Sequence, residues 1–540
     1  MAARVPDGLR PVRETFFRKP AEASIGALLL LLLPSLSGAA GLTAAQERGR
    51  RIYHEGKGRK KISAVLLGPG IKAPGQSFPC VSCHLPGGLG QLEGGVQSAD
   101  ITWSTLTKEY SGKRLSGRPH PPYDEESVMT AITSGMDPAG NELDEAHPRY
   151  EMEREDLEDL LAYIKILGRE PVPGVTEDQV RVGILLPGRG PLAETGREVR
   201  TLLEGFFADV NERGALYRRA LILVPASFDP SKAGDDLAAA RELVTRGEVF
   251  CFLANLGVPT DGEAAKFLAG EKVPVVAPLL AAPEGGFGTD RYTFHILSSV
   301  RDQARVMVDF LAEDLKMAGS PAGILYAADR HGEGGAAGVR EQAKRHGLRI
   351  VAEIPFAPGE LSPDKAVSRF RKEGVGAVLY FGGGRDAMAF AREAGRQGWS
   401  PVLLAPAQLV GNTLFSVPEE ILGGVYLAVP FTPPPPDSRG MADLVRIGEK
   451  HGVARRHLAF QVVAYAGAKI LEDGLKRAGV SVTRERFVDA IENLWKYETD
   501  VTPPLTYSPN RRAGTAGAAM IRVDKTHREP VAAAPWREPK

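Results

Sequence analysis

The stretch "VRVGILLP", residues 180–187, decides how the larger part of this chain is read. Five of its eight residues are Val, Ile or Leu, and it stops at Pro187 and Gly188. A short apolar run bounded by turn residues reads as a strand buried on both faces, as in a parallel sheet. An amphipathic helix follows over 194–213, then strand 220–229 ("ALILVPASFD"), helix 232–247, strand 249–255, helix 260–271 and strand 273–278. Strands alternating with helices at this spacing are βαβ units. A second series runs through helix 301–318, strand 322–327, helix 333–347, strand 349–356, helix 363–374 and strand 377–383. Two α/β units therefore stand in tandem.

Composition narrows the class. The chain has 540 residues, too many for one domain, and is 43% hydrophobic and 25% charged, as ordinary globular proteins are. Lys plus Arg balances Asp plus Glu at 67 each, and no basic run could track a phosphate backbone, so nucleic acid is not expected as a partner. Arg13, Arg18 and Lys19 precede "IGALLLLLLPSLSGAAGLTAA" (25–45), with small residues at its end. This is the order of a secretory signal, expected over 1–45. The apolar run also approaches the length of a membrane span, so an uncleaved N-terminal anchor is the alternative. Both place the rest of the chain in the periplasm.

Two of the three cysteines lie in "SFPCVSCHLPGG" (77–88). A C-x-x-C pair alone is a redox dithiol, half a zinc site or a disulfide. The motif follows a turn, "GQSFP", rather than a βαβ strand, and the third cysteine, Cys251, sits in the apolar run "VFCFLANLG". C-x-x-C-H is the attachment signature of haem c, with Cys80 and Cys83 as thioethers and His84 as proximal ligand. Around it, "RGRRIYHEG" (48–56) and "REDLEDLLAYIKIL" (154–167) resemble the terminal helices of a class I cytochrome c. That resemblance implies that they cross at Gly49 and Tyr163. It also implies a ligand loop of pattern G-x-D-P-x-G-x-x-L-x-x-x-M-P-R-Y, where this chain reads "GMDPAGNELDEAHPRY" (135–150). The ligand position holds His147; Met136 and Met152 are the alternatives. The expectation is a small all-α cytochrome domain over 46–168 with one covalent haem c.

A Pro/Gly-rich linker is expected at 169–179, after which a different resemblance begins. "ILLPGRGPLAETGREVRTLLEGFFADVNERG", "VFCFLANLGVPT" with "VPVVAPLLAAPE", and "ILYAADRHGEGGAAGVREQAKRHGLRIVAE" look, in that order, like segments of the branched-chain amino-acid (Leu/Ile/Val-binding) family of periplasmic binding proteins. The resemblance implies a two-lobed type I α/β fold, with parallel sheets covered by helices on both faces. Lobe 1 is expected at about 180–299 and 424–505, lobe 2 at about 300–423 and 506–525, and a tail at 526–540. A ligand would lie in the cleft between lobes, near Val258, Thr260, Leu280, Ala281, His331 and Arg385. The loop positions are largely apolar, which disfavours a zwitterion.

The whole chain then reads as an exported mono-haem electron carrier fused to a small-molecule binding module, with a redox partner protein. The alternatives are the receptor of an ABC permease with an accessory haem, or the haem subunit of a periplasmic dehydrogenase. No catalytic constellation is legible, so an enzyme is not expected.

Overall fold

The computed structural model describes residues 42–540, except 67, 69, 94–95, 110–118, 170, 215, 260, 281, 283–289, 418–420, 422–423, 432–433, 435–436, 525 and 528. The signal segment lies almost wholly outside the described residues; helix α1 (Ala44–Glu55) opens with Thr43 and Gln46 in a reciprocal cap.

Residues 44–168 fold around their own core. α1 crosses α4 (Arg154–Ile164) at Gly49, where an added Cβ would lie 2.0 Å from the Asp159 carbonyl oxygen and 2.7 Å from the Tyr163 Cβ. Only hydrogen fits, and this close approach buries Tyr53, Leu160 and Tyr163. Arg48 and Arg59 both reach the Asp159 carboxylate, at 2.7 and 2.8 Å. Between these helices lie α2 (Val81–His84) and α3 (Glu125–Ser134). The unit is not all-α. Strand β1 (Ser63–Leu66) pairs antiparallel with β2 (Ile71–Pro74) and with β3 (Arg149–Glu151). Two short apolar-containing segments, 63–66 and 71–74, pair with one another, and "RYE" adds the third strand.

The remainder is a two-lobed α/β structure. Lobe 1 holds β4 (Gln179–Pro187), α5 (Ala193–Glu212), β5 (Ala220–Phe228), α6 (Asp235–Thr245), β6 (Cys251–Leu253), α7 (Glu263–Gly270), β7 (Val275–Val276) and β8 (Thr293–Phe294). Its sheet is parallel in the order β8-β7-β6-β4-β5. Lobe 2 holds α8 (Val300–Asp309), β9 (Ala322–Ala327), α9 (Arg330–His346), β10 (Ile350–Phe356), α10 (Pro363–Lys372), β11 (Ala377–Phe381), α11 (Gly384–Arg396), β12 (Val402–Pro406) and β13 (Val425–Val429). The chain then returns to lobe 1 for α12 (Arg439–His451), α13 (Leu458–Ala478) and α14 (Arg484–Glu492), whose Met441, Leu444, Val462 and Phe487 enter the lobe 1 core. It ends in lobe 2 with β14 (Ala518–Val523) and β15 (Pro530–Arg537), antiparallel at the edge of the sheet β10-β9-β11-β12-β13-β14-β15.

Three boundaries differ from the sequence reading. β13 belongs to lobe 2, because its apolar residues find strand partners on both sides there, β12 and β14. The segment after 526 is not a tail but carries β15, which covers the edge of β14. The stretch 169–179 is not a free tether. Val172 and Val175 pack on the lobe 1 core, and Arg181 N donates to the Gly174 carbonyl at 2.7 Å. Gly174 lies against Phe250 so closely that a Cβ would sit 2.1 Å from the Phe250 nitrogen. The N-terminal unit thus enters lobe 1 at the edge where β4 and β6 begin.

Replacing Gly49 by Val should destabilise the 44–168 unit by at least about 1–3 kcal/mol, the usual cost of forcing volume into a packed contact. Calorimetry should show an early transition for this unit, with the transition of the lobes unchanged. An unchanged thermogram would mean that the two helices do not cross at Gly49.

Candidate functional site

In a parallel sheet each strand ends, and each following helix begins, on one edge. The loops after β4, β6 and β7 in lobe 1 therefore share an edge, as do the loops after β9, β11 and β12 in lobe 2, and a cleft forms where the two edges meet. In lobe 1 the chain leaves β6 and β7 through two alanines in the left-handed region, Ala254 (φ 54°) and Ala277 (φ 51°). Ala254 N donates to the Val276 carbonyl at 2.9 Å. Between these loops the buried Asn255 accepts from Leu185 N at 2.9 Å through its side chain and from Leu279 N at 2.9 Å through its carbonyl. In lobe 2, Asp329 caps α9 by accepting from Gly332 N at 2.9 Å, and the buried Asp386 in the first turn of α11 accepts from Gly359 N at 3.0 Å.

The residues expected in the cleft fall on these loops. Val258 is buried in a lobe 1 cluster with Phe228, Leu185 and Leu268; Leu280 is half-buried and Ala282 buried. Thr260 and Ala281 lie outside the described residues. His331 is half-buried in the first turn of α9, and Arg385 is exposed in the first turn of α11. The sequence reading missed the pair that spans the cleft: Arg330 of lobe 2 meets Asp261 of lobe 1 at 3.0 Å. The guanidinium holds the Asp261 carboxyl below its ordinary range. These two residues are distant in the chain and belong to no local pattern, so nothing in the sequence joins them.

In the N-terminal unit the structure brings His84 and His147 together, their ring centres 6.4 Å apart at 65°. His84 closes α2, and its Nδ1 lies 2.8 Å from the Ala99 carbonyl. Burial pushes the His147 imidazole down to about 4, aided by His84 and Arg149, and pushes the Cys80 thiol up to about 12. Cys80 is half-buried and Cys83 exposed. Met152 packs on the unit's core, and Met136 bridges the backbone of Glu142.

Comparison with known proteins decides among the readings. The family described as "Periplasmic binding protein" matches residues 179–528. The chain belongs to the periplasmic binding protein family. It is 22% identical over 304 residues to the Leu/Ile/Val/Thr-binding protein of Salmonella typhimurium, covering 56% of this chain and 80% of that protein. It is 24% identical over 322 residues to the Leu/Ile/Val-binding protein BraC3 of Rhizobium johnstonii, covering 58% and 83%. Its fold is shared with a fatty acid ABC transporter substrate-binding protein from Thermomonospora curvata (TM-score 0.55, 21% identity, 68% of this chain and 95% of that one). It is shared too with a branched-chain amino acid ABC transporter from Thermus thermophilus with bound valine (TM-score 0.55, 16% identity, 67% and 97%).

The family is one of ligand-binding receptors rather than enzymes, and its name places its members in the periplasm. Among the described residues no helix is long and apolar enough to cross a membrane. The reading of this periplasmic binding protein as an electron carrier is overturned. The relatives are binding proteins and not cytochromes, and among the described residues no group of three or more His, Cys, Asp or Glu side chains could hold a metal ion. Haem c as cofactor and a redox partner fall with that reading. So does the haem-bearing dehydrogenase subunit. The motif C-x-x-C-H is local, whereas the family match rests on an ordered series of elements along most of the chain.

The hinge of this binding protein contains a histidine that sequence reading passed over. His295 follows β8 and is only 2% exposed. Burial pushes its imidazole down to about 4. Below an unfolded value of about 6.5, the unfolded chain takes up a proton that the folded hinge refuses. Stability should therefore fall as pH drops from about 6.5 to about 4, by on the order of 3 kcal/mol from this one group. Denaturant titrations across that range should show the loss, and His295→Gln should flatten the slope whatever its own effect on stability. An equal slope in the variant would remove His295 as the cause.

Proposed function

We propose that this chain is the receptor of an ABC-type importer and that its cleft takes a small carboxylate with an apolar body. The observation carrying this reading is the contrast between the two walls. Lobe 1 offers Val258, Leu280 and Ala282, whereas lobe 2 offers the N-termini of α9 and α11 with His331 and Arg385 beside them. Helix N-termini present partial positive charge to a carboxylate, and in α9 the Gly332 N–H is already held by Asp329. An ammonium group is less well served. Among the described acidic residues at these loops, Asp261 is paired with Arg330, Asp329 caps α9 and Asp386 holds Gly359. The relatives named for Leu, Ile and Val support an amino acid as the second reading, and the structural neighbour named for fatty acids fits the first.

Thermal-shift titration of the purified chain separates them. Hexanoate, octanoate and phenylacetate form one series; L-leucine, L-valine and L-threonine form the other. A ligand at a hundred times its Kd adds about 2.7 kcal/mol, enough to raise the lobe transition by several degrees. The carboxylates should give the larger shift, and Arg385→Ala should weaken them at least about tenfold, a charge-assisted hydrogen bond being worth about 1.5–3 kcal/mol. A larger shift with the amino acids would overturn the ligand class but keep the receptor. No shift in either series would count against the receptor reading itself.

A further inference from the structure

The chain passes between the lobes three times: from β8 into α8, from β13 into α12, and from α14 into β14. The first and third crossovers are bonded to one another. His295 N donates to the Arg512 carbonyl and Gly514 N to the His295 carbonyl, each at 2.8 Å, and Thr515 Oγ1 donates to the Ile296 carbonyl at 2.8 Å. The Arg330–Asp261 pair stands well away from this hinge. Asp261 lies in the loop after β6, two strands from β8 in the lobe 1 sheet. Arg330 opens α9, the helix after β9, and β9 is four strands from β14 in the lobe 2 sheet. Adjacent strands lie about 4.8 Å apart, so the pair has lever arms of about 10 Å in lobe 1 and about 19 Å in lobe 2. A rotation about the hinge therefore moves these two charges much further apart than it moves the paired crossovers.

We infer that Asp261 and Arg330 form a latch: their ion pair holds the two lobes closed across the rim of the cleft and must break before the cleft opens. Nη1 of Arg330 and the Asp261 carboxylate are 3.0 Å apart. The side chains are 40% and 57% exposed, which places the pair at the rim rather than on the floor and leaves it open to screening by salt. Arg330 is also the first residue of a 17-residue helix, whose positive end adds to the pull on the carboxylate. An exposed pair shifts an equilibrium only a few-fold. A latch of that strength biases the hinge toward closure without locking it. The inference rests on the two-lobed fold alone and holds whatever ligand the cleft takes.

Single-molecule energy transfer in the full chain without added ligand tests it, with dyes on non-natural side chains at the exposed Lys232 of lobe 1 and Lys365 of lobe 2. Asp261→Asn and Arg330→Gln should each lower the ratio of closed to open molecules about two- to fivefold. The charge exchange, Asp261→Arg together with Arg330→Asp, should return the ratio to within about twofold of its starting value. In about 1 M salt the Debye length is about 3 Å, so the unaltered chain should open to the level of Asp261→Asn while that variant hardly responds. Single variants as closed as the unaltered chain would overturn the proposal. So would an exchanged pair as open as the single variants, because the two side chains would then act separately rather than on each other. A salt response equally large in Asp261→Asn would also overturn it, since other charges would then govern closure.

Discussion

Parallel strand pairing is the constraint from which this structure follows. A parallel strand must return to its starting edge before it can pair again, and the chain returns as a helix. All strand ends and helix starts then gather on one edge. Two such sheets facing one another make a cleft lined by loops, however the individual loops read. The loops after β6 and β7 in lobe 1 and the helix N-termini of lobe 2 are both placed by this geometry. The antiparallel pair β14 and β15 departs from it at the far edge of lobe 2, where no further crossover is needed.

The cleft is built at some local expense. Ala254 and Ala277 occupy backbone regions that cost an L-residue on the order of 1–2 kcal/mol each. Alanine carries the smallest side chain that can sit there. Asn255 then uses its amide oxygen and its carbonyl to hold neighbouring strand ends in place. The hinge is treated similarly. Its crossovers pair with one another through backbone bonds and the hydroxyls of Ser298, Thr515 and Tyr507. Arg512 stacks on Phe294 and pairs with Glu492 in the same region.

The N-terminal unit shows how little a short motif decides. Cys80, Cys83, His84 and His147 do converge. What they converge on is a half-buried pair of imidazoles beside a Cys80 thiol that burial pushes up, in a unit with a three-stranded sheet. The loop over 135–147 is held independently of any cofactor. Asp137 accepts from Ala139 N and Asn141 N, each at 2.9 Å, and the buried Arg149 donates to the Leu143 carbonyl at 3.0 Å. The positions of Asp137, Asn141 and Arg149 in this loop are therefore accounted for by the loop's own hydrogen bonding.

The sequence by itself determined the alternation of strands and helices from residue 180 onward. Continuous Val/Ile/Leu runs and amphipathic repeats are local signals, and they carry their physical cause within a few residues. The crossing at Gly49 came only from the resemblance of the two helices to those of a cytochrome c, and it is the close approach to Asp159 and Tyr163 in the folded unit that shows it. What only the tertiary structure decided is which partner each segment takes. "VYLAV" reads equally well in either lobe, and only the gap between β12 and β14 assigns it to lobe 2. Arg330 and Asp261 meet because two lobes face each other, and His295 is buried because three distant segments close around it. Burial and charge pairing are sums over neighbours far apart in the chain, and those sums exist only after the chain has folded.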